Sequence, residues 1–219
     1  MQSLNHLVAA GKVLYLGISD TPAWVVAKAN EYAHCNGLHQ FCVYQGRWSA
    51  AARDFEREII PMCRAEGMGL APWGALGGGM FKTEKQRKKQ QEQKDGRSQV
   101  MQPSETQVKV SKALEAVAKR KNSIITSIAQ AYISAKAPYV FPIVGGRNVD
   151  HLKGNIEALN IKLSDGDIKD IEDVVPFDLG FPSNFLYGEK LPENPGAVWV
   201  LGMGGTLDHV PEPKPLSKE

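Results

Sequence analysis

Three short apolar stretches each end in side chains suited to chemistry. Residues 13–19 (VLYLGIS) run into Ser19 and Asp20, residues 41–45 (FCVYQ) end at Gln45, and residues 68–73 (MGLAPW) end at Trp73. The run Gly74-Ala75-Leu76-Gly77-Gly78-Gly79 follows directly on that tryptophan. A hydroxyl, a carboxylate and a primary amide can together exchange hydrogen bonds with an amide-bearing planar ligand, while an indole stacks on its ring. Glycines beside the stacking group let backbone approach a pyrophosphate, because no Cβ stands in the way. The same residues admit a plainer reading. Ser, Asp and Gln at strand ends often cap the next helix, and a buried tryptophan is usually core.

For these tips to meet, their strands must lie side by side and point the same way. Residues 21–35 have helical spacing from Trp24 through Ala27 to Ala33, with the Thr21 hydroxyl as a cap ahead of Pro22. Residues 54–66 place Phe55, Ile59 and Met62 or Cys63 on one helical face. Further helices are expected over 107–121, 123–136, 148–158 and 164–174; in the last, Ser164 and Asp167 have capping-box spacing. Residues 139–144 (YVFPIV) supply a fourth strand. Strands alternating with helices imply parallel βαβ units. In such folds the carboxyl ends of the strands face the ligand. Four units in 219 residues suit either a small open sheet or half of an eight-fold barrel, which takes about 250 residues. No internal repeat separates the two.

Composition narrows the function classes. With 42% apolar and 23% charged residues the chain is expected to fold as a soluble protein. Its 26 Lys plus Arg against 24 Asp plus Glu is too balanced for bulk attraction to nucleic acid or anionic lipid. The basic run at 82–97 (KTEKQRKKQQEQKDGR) lacks interleaved aromatics, so no nucleic-acid role is expected, only a solvated loop or frayed helix. No apolar run reaches the roughly 20 residues of a membrane span, and the opening MQSLNHLVAAGK lacks signal-peptide layout. Cys35, Cys42 and Cys63 show no CxxC spacing, and the five His show no metal-ligand spacing. Reduced thiols and a cytoplasmic location are the expectation.

The stretches GKVLYLGISDTPAW, RDFEREIIPMCRAEGMGLAPWGALGGG and PIVGGRNVDHLKGNIEAL resemble the aldo-keto reductases, nearest the fungal aryl-alcohol dehydrogenase type. The resemblance runs in unbroken order from about Met1 to Tyr187. It implies a (β/α)8 barrel that binds NADP(H) without a Rossmann motif, and no GxGxxG or P-loop is present. It places the nicotinamide carboxamide on Ser19, Asp20 and Gln45 and stacks the ring on Trp73. It assigns the pyrophosphate to the Gly74–Gly79 turn, with Gly74, Leu76 and Gly77 as contacts. The adenosine 2′-phosphate region falls on residues 145–155, through Arg147, His151 and Asn155. An arginine suits phosphate through its forked donors. Several positions depart from the broader family pattern: Asp20 stands for Asn, Gly74 for a hydroxyl residue, Gly154 for an acidic one, and His151 for Arg or Gln. These departures bear on cofactor choice and imply weakened binding.

The resemblance also implies hydride transfer to a carbonyl, with a tyrosine donating the proton and a lysine, an aspartate and a histidine supporting it. In the family these four lie on the first four strands, upstream of the matching segment, and none of the tyrosines or histidines here falls on their positions. The expectation is therefore a truncated aldo-keto reductase. Residues 1–175 would form the C-terminal half of a (β/α)8 TIM barrel, about four βα units, interrupted by a basic solvated loop at 82–106. A C-terminal extension would follow at 176–201 and a disordered tail at 202–219. Its ligand would be a small carbonyl or alcohol, an aryl alcohol or aldehyde or a ketone, as in fungal secondary metabolism. Half a barrel would expose open edges and an apolar inner wall, calling for self-association or a partner half-barrel. The alternative is a non-catalytic nucleotide-binding or subunit-interaction module.

Overall fold

The computed structural model describes residues 1–92, 102–146, 148–192, 194, 196, 198–205, 208–211 and 213–216, without the side chains of residues 90–92. A first helix, α1 (Gln2–Ala9), leads into β1 (Leu16–Ser19), α2 (Ala23–Cys35), β2 (Phe41–Arg47), α3 (Ile59–Ala65) and β3 (Gly69–Trp73). The three strands form one parallel sheet in sequential order. Gly17, Val43 and Gly69 lie in register across it, as do Ser19, Gln45 and Ala71. The expected strand tips are therefore held at one end of one sheet.

Three local expectations are corrected. The first strand starts at Leu16 rather than residue 13, and Thr21 does not cap the helix after it. Pro22 occupies the N-cap of α2 without a side-chain cap bond. The chain turns sharply at Asp20 (φ 48°), so the Thr21 hydroxyl points back and donates to the Ser19 carbonyl at 2.9 Å. The helix expected over 54–66 is broken into a 3-10 turn at Asp54–Glu56 and α3. Pro61 explains the break. In a helix starting at 54 it would remove an interior N–H, whereas in the first turn of α3 that N–H has no partner to lose.

The segment expected as a fourth strand runs alongside β3 but is tied to it by a single bridge, Leu70 to Val140. Leu70 N–H donates to the Tyr139 carbonyl, Phe141 N–H to Leu70 and Ile143 N–H to Pro72, at 2.9, 2.7 and 2.8 Å. Pro72 and Pro142 lack donors, which interrupts the ladder. Among the described residues the sheet is open.

One face of the sheet, carrying Leu16, Tyr44 and Leu70, is packed into the core with residues of α2, α3, α5 (Glu105–Arg120) and α6 (Ile125–Lys136), where α4 is Glu84–Glu92. Asn30 of α2 brackets the start of β2, donating to the Phe41 carbonyl at 3.2 Å and accepting its N–H at 2.9 Å. Helix α6 is buried at ten of its twelve positions, so it lies inside the helical layer. The other face carries Gly17, Val43, Gly69 and Phe141. A Cβ on Gly17 would meet Val43, and one on Gly69 would meet the Phe141 ring at 3.5 Å. On this side Phe141 is 62% and Ile143 52% exposed, while Ala71 is buried.

The stretch expected as a loop at 82–106 holds helix at both ends. Charged α4 carries a Lys88–Glu84 pair at 3.2 Å, and α5 starts at Glu105 because Ser104 and Gln107 form a reciprocal capping box. Residues 93–101 lie outside the described residues. Asn148 caps α7 (Val149–Glu157), and the Ser164–Asp167 box expected from the sequence opens α8 (Asp165–Glu172). Short α9 (Ser183–Tyr187) and α10 (Trp199–Gly202) meet through an edge-on Phe185–Trp199 contact. Beyond them the described residues 203–205, 208–211 and 213–216 form no helix or strand, while 206, 207, 212 and 217–219, also within the expected tail, lie outside the described residues. Among the described residues no helix is long and apolar enough to cross a membrane.

Candidate functional site

The tips of β1, β2 and β3 bring Ser19, Asp20, Gln45 and Trp73 together. Asp20 is the centre of the group. Its backbone N–H donates to the Gln45 carbonyl at 3.0 Å, its Oδ2 accepts from the Ser19 hydroxyl at 3.1 Å, and its Oδ1 accepts from the Trp73 indole N–H at 3.1 Å. Two donors thus fix the carboxylate, and each oxygen keeps a further lone pair for a ligand N–H. Trp73 is 39% exposed, so its ring remains accessible from solvent. The primary amide of Gln45 lies on the exposed side of β2, the same face as Gly17, Val43 and Gly69. The group presents an accessible aromatic face beside a carboxylate and an amide, able to exchange hydrogen bonds with a planar amide-bearing ligand.

The glycine turn follows at once. Gly74, Gly77, Gly78 and Gly79 all have positive φ, and the turn is closed by Gly77 N–H to the Gly74 carbonyl (2.8 Å) and Met80 N–H to Gly77 (3.0 Å). At Gly77 the requirement is steric as well, since a Cβ would lie 2.7 Å from the buried Phe81 ring. Leu76 is half-buried between them.

The third group is less assembled. Arg147 lies outside the described residues. His151 is exposed on the first turn of α7, with its N–H bonded to the Asn148 cap. Asn155, one turn on, is buried, and its carbonyl accepts from Gln130 of α6 at 3.1 Å. The structure thus gathers Ser19, Asp20, Gln45 and Trp73 beside Gly74, Leu76 and Gly77, and places His151 and Asn155 on a separate helix.

Behind the strand tips stands a cluster that the sequence does not announce. Trp48, fully buried, donates its indole N–H to Glu56 at 3.1 Å and its backbone N–H to the Trp73 carbonyl at 3.2 Å. Arg53 grips Glu56 with two bonds (3.0 and 2.9 Å) and reaches Glu172 at 3.3 Å, while Lys136 pairs with both carboxylates. Burial pushes the Glu56 carboxyl up, but Arg53, Lys136 and the Trp48 donor outweigh it, so it titrates below its usual range. Tyr132 donates to Glu172 at 2.9 Å. With Lys136 nearby, this set has the residue types of a proton-donating site. Tyr132 is 0% exposed, and burial followed by the Glu56 charge lifts its pKa well above 10. The cluster is a scaffold. No spacing in the sequence marks Glu56 as the partner of a lysine 80 residues on.

The cysteines have no place in the site. Burial raises the Cys63 thiol to about 12, Cys42 donates to the Leu16 carbonyl, and Cys35 bonds Glu31. All three are free thiols, and no metal-holding cluster of His, Cys, Asp or Glu exists among the described residues.

The chain is similar to known proteins over most of its length. The model of the aldo/keto reductase family matches residues 1–176. Norsolorinic acid reductase B of Dothistroma septosporum is 52% identical over 223 residues, which take in 99% of this chain and 57% of that protein. An aryl-alcohol dehydrogenase of Pestalotiopsis microspora is 49% identical over 99% of this chain and 55% of its own length. The chain thus spans about half the length of the curated relatives it matches. Among solved structures, a thermostable aldo-keto reductase crystallised with the inhibitor epalrestat shares the fold with a TM-score of 0.59 at 24% identity, covering 80% of this chain and 53% of that one. With four-fifths of its residues inside the family match, the chain belongs to the aldo/keto reductases.

Proposed function

We propose that this chain carries the nicotinamide-gripping part of an NADP(H)-dependent oxidoreductase acting on aryl alcohols, aryl aldehydes or related ketones. The observation that carries the reading is the Ser19–Asp20–Trp73 hydrogen-bonded group beside Gln45 at the carboxyl ends of parallel strands. The names of the relatives, norsolorinic acid reductase and aryl-alcohol dehydrogenase, support the substrate class.

NADPH, when bound, supplies the hydride. Trp73 offers the ring a flat partner. Asp20, whose oxygens only accept, takes a hydrogen bond from the carboxamide NH2, and Gln45 donates to its carbonyl. The Gly74–Gly79 turn lets backbone approach the phosphates. On this reading Arg147 and His151 contribute to the 2′-phosphate end, with Asn155 bracing the helix that carries His151. The departures at Gly74 and His151 make binding weaker than in the broader family.

The exposed Phe141 and Ile143 support the architectural part of the proposal, in which these four βα units are half of an eight-stranded barrel. These two are then inner-wall residues, covered by further strands from a partner half-barrel or by self-association. Tyr44 and Tyr132 have their hydroxyls committed to Thr21 and Glu172, so on this reading neither is the proton donor for carbonyl reduction.

Tryptophan fluorescence titrated with NADPH tests the cofactor reading. Saturable quenching in the wild-type chain, lost in Trp73→Ala and weaker with NADH, is expected. No quenching, or equal quenching in Trp73→Ala, would overturn it.

A further inference from the structure

The Asp20–Trp73 pair is held from behind by an aromatic ladder. The Tyr44 hydroxyl accepts the Thr21 N–H at 3.1 Å and donates to the Thr21 carbonyl at 2.7 Å, so both backbone groups of the residue after Asp20 rest on one side chain. The Tyr44 ring meets Phe55 edge-on at 5.6 Å, and Phe55 stacks on Trp48 at 5.4 Å with planes 11° apart. Trp48 then holds the Trp73 carbonyl through its backbone and Glu56 through its indole. All three rings are buried. Gly46 sits in the middle of the ladder, where a Cβ would fall 2.8 Å from Tyr44 and 2.9 Å from Phe55.

One end of the ladder therefore fixes the turn that presents Asp20, and the other fixes the strand end that presents Trp73. The turn needs such a hold. Asp20 sits at positive φ, which an aspartate adopts more readily than most side chains but still at a cost relative to glycine. A two-bond clasp on the next residue is a direct means of imposing it. The terminus of β3 faces a similar problem, because Pro72 gives it no donor of its own and the chain leaves at Gly74.

We propose that Tyr44 and Trp48 are positioning residues for the Asp20–Trp73 pair, setting the indole against the carboxylate in the geometry that receives the nicotinamide. The role of the pair in nucleotide binding rests on the functional reading above. The positioning itself does not.

The test uses the full chain with isotope-labelled tryptophan indoles, assigned through single Trp→Phe variants. In Tyr44→Phe the ring packing remains and only the clasp is lost. The Trp73 indole N–H resonance should then shift toward the unbonded position and exchange faster with solvent, while those of Trp24 and Trp199 stay put. Ile171→Val, buried in α8, supplies a packing control. NADPH affinity should fall about fivefold in Tyr44→Phe, the worth of one net hydrogen bond. If Tyr44→Phe does not fold, Phe55→Leu, which removes the ring joining Tyr44 to Trp48 and leaves their hydrogen-bonding groups in place, carries the same readout. An unmoved Trp73 resonance in the folded variant, or an equal shift in Ile171→Val, would overturn the proposal. A wild-type chain that binds no NADPH would instead remove the cofactor reading, leaving the resonance measurement to decide the positioning.

Discussion

Replacing Gly77 by alanine should damage the glycine turn far more than the same change one residue later. Both glycines have positive φ, 71° and 61°, so alanine at either position takes a left-handed conformation costing about 1–2 kcal/mol. They differ in space. A Cβ at Gly78 meets nothing within 4 Å, whereas one at Gly77 would lie 2.7–2.8 Å from three atoms of the Phe81 ring. That ring is 2% exposed and has nowhere to go, so overpacking adds about 1–3 kcal/mol. Urea denaturation separates the two effects. With m about 2 kcal/mol/M, Gly77→Ala should lower the midpoint about 0.5–1.5 M further than Gly78→Ala, at unchanged m. Phe81→Leu in the Gly77→Ala background should recover part of that difference, because the two side chains compete for one volume. Equal midpoints for the two glycine variants, or no coupling to Phe81, would refute the steric account of this turn.

Two more outcomes follow from the buried charges. Glu56→Ala leaves Arg53 and Lys136 facing each other with Glu172 alone between them, and should destabilise by about 3–5 kcal/mol in calorimetry, with Glu56→Gln milder. Asp167 opens α8. Burial raises its pKa, but Arg120, Lys121 and Ser164 outweigh that and bring it from the usual 3.8 to about 2. Because the folded value lies below the unfolded one, its contribution is present above about pH 4 and lost as pH falls toward 2. Acid titration of the unfolding free energy should therefore show a step in that window that Asp167→Asn removes.

Much of this architecture is legible from residue patterns, and the exceptions have physical causes. Short apolar runs alternating with helical spacing show the parallel strands, and the Ser164–Asp167 spacing shows where α8 begins. The tips Ser19, Asp20, Gln45 and Trp73 can be named from position alone, because parallel strands in register put their ends together. What sequence does not show is how the tips bond one another. An Asp at positive φ that accepts from both its neighbour and an indole 53 residues on is a tertiary fact. The Thr21 cap fails because that turn sends the hydroxyl back to Ser19. The extended helix at 54–66 fails at Pro61, a breaker in plain view whose effect depends on where the first turn falls. The clasp of Tyr44 on Thr21 and the Glu56 knot are hidden because each links segments whose own periodicity reads only as buried core.

The most direct test of the central claim is a crystal structure of the chain grown with NADP+. The account predicts difference density for the nicotinamide stacked on Trp73, with its carboxamide between Asp20 and Gln45 and its phosphates over the Gly74–Gly79 turn. Well-ordered nucleotide bound elsewhere, with the Asp20–Trp73 group untouched, would contradict it.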